Sequence, residues 1–94
     1  MVMLPSPQQL RYLTILAELR HFGRAAAACG VTQSTLSAGI LALERQMDVA
    51  ILDRGIGKRL AFTQAGEEIA ARSRQALAAL EAVADVAAPS AARA

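Results

Sequence analysis

The chain has 94 residues, the length of one domain; its hydrophobic content of 54% is inflated by alanine, and 3% aromatics with no Trp argue against aromatic-lined sugar, base-stacking or quaternary-ammonium sites. One Cys cannot make an internal disulfide, so a reducing cytoplasm is expected; apolar runs such as Ala76–Leu80 fall far short of the ~20 residues that span a bilayer, and no secretory signal is expected at the N-terminus. The net charge of +2 is uneven: residues 1–60 hold seven Lys/Arg against four acids, residues 61–94 three against four, as a front half meeting polyanion or an Arg- and Ala-rich GC-biased genome would give.

Ser6-Pro7-Gln8-Gln9 reads as a helix start, with Ser6 at the N-cap, Pro7 in the first turn and Gln9 closing a capping box. Leu10, Leu13, Leu16 and Ala17 recur at helical spacing, widened by Tyr12, Ile15 and Leu19, so this helix is expected to end near Leu19. Phe22 ties the connection to the core, while His21 has no second ligand at metal spacing and reads as a surface histidine. Gly23 is expected to open a short second helix, Arg24 to Cys29, whose four alanines allow close packing. Gly30 then turns the chain.

Thr32 can cap a third helix, with Val31 and Leu36 as its hydrophobic staple. Two helices joined by so short a turn make a helix-turn-helix. The third helix is expected over Gln33 to about Met47, with Leu36, Ile40, Leu43 and Met47 on one narrow arc. The opposite side carries Ser34, Thr35, Ala38, Leu41 and Arg45, with Ser37 on the flank. A small, hydroxyl- and amide-bearing N-terminal surface suits the major groove, where Gln, Ser and Thr bond base edges and phosphates. The bland alternative is an ordinary solvated helix with small residues.

From Val49 to Thr63, two strand-like runs, Ile51–Arg54 and Arg59–Thr63, flank Gly55-Ile56-Gly57-Lys58, predicting a hairpin with a basic tip. Its Gly-rich loop lacks the phosphate-loop pattern, so nucleotide binding is rejected. Thr63 caps a last helix that runs to about Ala88, with Glu67 and Glu68 in its first turns. Ile69, Ser73, Ala76, Leu80, Val83 and Ala87 follow a coiled-coil repeat and are the expected dimerisation seam. The other reading folds this helix back on its own domain.

The resulting expectation is a mainly α winged helix-turn-helix over residues 1–62, with a three-helix core and a two-stranded β-wing. A linker and dimerisation helix (63–88) and a disordered tail (89–94) follow. The expected DNA-contacting set is Thr32, Gln33, Ser34, Thr35, Ser37, Ala38, Arg54, Lys58 and Arg59. No catalytic constellation, metal set or cofactor motif is legible, and no membrane or small-molecule partner is expected. The leading function is sequence-selective duplex binding by a homodimer; a helical interaction module without nucleic-acid binding is the alternative.

Phe22-Gly23-Arg24-Ala25-Ala26, Val31 through Ser37, Leu43-Glu44, Ile51-Leu52-Asp53-Arg54 and Thr63-Gln64-Ala65-Gly66 occur in order. Together they resemble the N-terminal DNA-binding domain of LysR-type transcriptional regulators over about residues 7–87. His21–Ala26 and Gln33–Ile40 are most similar to the peroxide-sensing OxyR branch. The resemblance implies binding to imperfect inverted repeats in promoters and a C-terminal effector domain that these residues do not contain. It carries base and phosphate contacts onto Gln33, Ser34, Ser37 and Ala38, and basic wing contacts near Arg54 and Lys58. Ser34 stands where Pro is common, and Ala38 where Arg is common, which removes a potential guanine contact. Asp48 replaces the usual glycine after the third helix, so a different closure of that turn is expected. Cys29 reads as a small buried apolar residue.

Overall fold

The computed structural model describes residues 3–55 and 60–87. Four helices carry the chain: α1 (Pro7–Leu19), α2 (Phe22–Cys29), α3 (Gln33–Met47) and α4 (Gln64–Ala87). The local signals for α1 act as the residues dictate. Ser6 Oγ accepts the Gln9 N–H at 3.2 Å while Gln9 Oε1 accepts the Ser6 N–H at 2.8 Å, the reciprocal capping box. α2 begins at Phe22, two residues earlier than the glycine signal suggests, because His21 acts as N-cap: its Nδ1 accepts the Arg24 N–H at 3.0 Å. Gly30, at φ 72°, ends α2, with the Val31 N–H returning to the Ala26 carbonyl. α2 and α3 meet at 95°, within the range of helix-turn-helix pairs.

Two non-glycine residues hold left-handed conformations. Arg20 (φ 54°) closes α1 and Asp48 (φ 52°) closes α3. The Asp48 N–H reaches Arg45 O and the Val49 N–H reaches Glu44 O, so α3 ends in the left-handed closure a glycine would supply, not in a different turn. Arg20 is held by three contacts. Its Nε donates to Ala17 O, its guanidinium lies 4.3 Å from the Phe62 ring centre, and it pairs with Glu67 in the first turn of α4 at 2.6 Å. That hydrogen bond holds the Glu67 carboxyl below the usual carboxylate range.

Leu13, Leu16, Leu36, Ile40, Leu43 and Ile51 are fully buried and form the centre of the core. Burial of each contributes about 1.5–3 kcal/mol. α4 runs antiparallel to α1: Arg20 at the end of α1 meets Glu67 at the start of α4, and Pro7 and Arg11 lie opposite Leu80 and Ala84. The turn into α4 is tied by Thr63, whose hydroxyl donates to Ala50 O and accepts the Gly66 N–H.

Between α3 and α4 the described residues contain no strand. They contain one antiparallel bridge, Leu52 to Phe62, extended by Asp53 N–H to Ala61 O and Thr63 N–H to Ile51 O. The base of the expected hairpin is therefore paired, but over a shorter length than two strands. Its tip, with Lys58 and Arg59, lies outside the described residues, as does the expected tail.

The expected seam on α4 divides in two. Ser73 is buried within its own chain, its hydroxyl donating to Ile69 O at 2.7 Å, and Ile69 packs on the core. These two positions line an apolar groove with Leu10, Met47 and Ala76. A coiled-coil repeat records an apolar stripe, not whose chain covers it. Ala76, Leu80, Val83 and Ala87 are exposed, as is Val86, which the repeat did not include. No single helix among the described residues is long and apolar enough to cross a membrane.

Candidate nucleic-acid interface

α3 presents two chemically distinct sides. Leu36, Ile40 and Leu43 anchor it in the core, each with no exposed surface. Gln33, Ser34, Thr35, Ser37, Ala38, Leu41 and Arg45 are all exposed. The polar residues cluster in its first two turns, where the helix dipole is positive and the initial N–H groups lack intrahelical partners. Thr32 caps this end: its Oγ1 accepts the Thr35 N–H at 3.1 Å and bonds the Thr35 hydroxyl at 3.0 Å. The Thr32 hydroxyl is thus engaged in the cap, and Gln33, Ser34 and Ser37 stand on the outward face with Thr35 and Arg45.

Arg54, expected as a wing contact, is partly committed elsewhere. Its Nη1 lies 2.9 and 3.1 Å from the two carboxylate oxygens of Glu44, while the side chain stays about half exposed. Glu44 itself is buried near the end of α3 and accepts the N–H groups of Ile51 at 2.8 Å and Leu52 at 3.1 Å. Burial alone would raise its pKa. The two backbone donors and the Arg54 guanidinium outweigh that effect, and the carboxyl titrates below its usual range. One carboxylate thereby links α3, the base of the hairpin and the first basic residue beyond it. The sequence pairs Leu43 with Glu44 only as part of a motif; the bonds span seven to ten residues through an irregular turn, so no periodicity reveals them.

Cys29 is half-buried, and burial raises its thiol pKa, which favours the unreactive protonated form. His21 is exposed, as expected, but its capping role is not legible in the sequence, because His is an uncommon N-cap. Among the described residues no cluster of three or more His, Cys, Asp or Glu side chains could hold a metal.

A right-angled helix pair with a small, polar second helix facing outward defines a helix-turn-helix protein. The chain belongs to the lysR family of bacterial regulatory helix-turn-helix proteins, whose family model matches residues 7–67. It is similar to the HTH-type transcriptional regulator EstR of Acinetobacter baylyi, at 45% identity over 78 residues, covering 83% of this chain and 26% of EstR. It is also similar to the DNA-binding transcriptional dual regulator OxyR of Escherichia coli, at 44% identity over 70 residues, 74% of this chain and 23% of OxyR. Among solved structures, full-length OxyR C199D from Pseudomonas aeruginosa superimposes with a TM-score of 0.84 at 35% identity, covering 90% of this chain and 28% of that one. The chain spans about a quarter of the length of these relatives.

Proposed function

We propose that the chain is the sequence-selective, duplex-DNA-binding part of a dimeric transcriptional regulator, with no enzymatic role and a cytoplasmic location. The observation that carries the reading is the exposed hydroxyl-and-amide face of α3, set on an apolar anchor within a helix-turn-helix. α3 enters the major groove, where Gln33 and Ser34 reach base edges and Ser37 and Thr35 reach bases or phosphates. Ala38 offers only a methyl, which suits a thymine methyl contact and leaves more discrimination to groove shape. Arg54, Lys58 and Arg59 neutralise the adjoining backbone, and Thr32 contributes through the cap that fixes the start of α3.

Leu80, Val83 and Ala87, with Ala76, pair the second half of α4 with the same helix of another copy and so set half-site spacing. A two-stranded wing is the form we assign to the paired Ile51–Asp53 and Ala61–Thr63 segments with the basic tip between them. Similarity to OxyR favours a peroxide-responsive regulator, and equal similarity to EstR leaves that narrower reading the weaker one.

Titration of a labelled duplex at several salt concentrations tests the reading. A DNA-binding domain gives log K falling linearly with log salt, with a slope that flattens by about one in Lys58→Ala. No duplex affinity even at low salt would turn the assignment toward an interaction module.

A further inference from the structure

The first side chain of the reading face, Gln33, shares its position with the start of α2. Gly23 is the second residue of that helix. A Cβ placed on it would lie 3.1 Å from Gln33 Nε2, 3.0 Å from His21 Cε1 and 3.4 Å from His21 Nδ1. The Gln33 amide and the His21 imidazole therefore rest over the same bare Cα. The imidazole is itself fixed, because Nδ1 accepts the Arg24 N–H at 3.0 Å. The ring's orientation is therefore set by the helix it caps.

We propose that His21 and Gly23 are positioning residues for base recognition: together they form a seat that holds the Gln33 amide in place before DNA arrives. The inference rests on the DNA-binding reading above. A free glutamine loses rotamer freedom when it binds a base, and a side chain already restricted in the unbound protein loses less. Capping alone does not account for the arrangement. Serine caps a helix at least as well as histidine but has no ring to stand beside Gly23. The atoms nearest to where a Gly23 side chain would go belong to two side chains, His21 and Gln33. A larger residue there fills the seat without opposing the fold.

The test compares wild type, His21→Ser and Gly23→Val. Wild type is first used to select duplexes from a library with a randomised core. Each protein is then titrated with an enriched duplex and with a random one, alongside thermal melts. The expected result is a melting temperature close to wild type, unchanged affinity for the random duplex, and an about five- to tenfold loss of preference for the enriched one. In a Gln33→Ala background neither substitution lowers the preference further, since the seat acts only through that amide. Wild-type preference in both variants, equal loss on both duplexes, or effects additive with Gln33→Ala would each overturn the proposal. A wild-type protein that binds neither duplex would overturn the DNA-binding reading on which the seat depends.

Discussion

A Cβ on Gly66 would run into the carbonyl group of Ile51, and that carbonyl is fixed because it accepts the Thr63 N–H. The collision is with backbone, so nothing nearby can rotate away. Gly66→Ala is expected to destabilise the domain by about 3 kcal/mol, seen as a fall of more than about 10 °C in the thermal midpoint. Glu44 is the second residue on which several elements depend. Its folded pKa is depressed, so its contribution to stability is present at neutral pH and is lost as pH falls through the folded value. Glu44→Gln is expected to cost about 1–3 kcal/mol at pH 7, with the gap to wild type closing as pH falls through the depressed folded value in denaturant titrations. A gap that is constant with pH would show that the ionised carboxylate is not what holds the Ile51–Arg54 segment.

Among the elements, α1 and α3 were the most legible, because short-range chemistry marks where each begins. Ser6 with Gln9, and Thr32 between Val31 and Leu36, fix where each helix starts, and the observed spans agree with the expected ones. The ends were harder to read where Arg20 and Asp48 adopt a conformation usually left to glycine. Asp48→Gly removes that strain and is expected to raise stability by about 0.5–1 kcal/mol after the added chain entropy of glycine. α4 was legible in length but not in partnership. Its apolar stripe is covered by α1 and the groove near Met47 at Ser73, and is uncovered from Leu80 onward. Leu80→Asp is therefore expected to give monomers by sedimentation with little loss of helix, whereas an unchanged dimer would remove the second half of α4 from the proposed pairing.

At the scale of the whole molecule, the basic excess lies in residues 1–60 and the exposed apolar residues Leu80, Val83 and Val86 lie at the far end of α4. The proposed polyanion contacts and the proposed self-association thus draw on different segments of the chain. The candidate surface was legible because exposure on α3 follows directly from helical periodicity. The commitment of Arg54 to Glu44, and the shared seat of Gln33 and His21, were not, because both join residues ten or more positions apart. The outward face of α3 is proposed to meet the negative surface of duplex DNA. Fluorescence anisotropy of Ser37→Glu with a labelled random-sequence duplex at low salt tests it most directly. Ser37 is exposed, so the account predicts an unchanged melting temperature and a loss of duplex affinity of at least about tenfold, from a carboxylate held against phosphates. Wild-type affinity in that variant would contradict it.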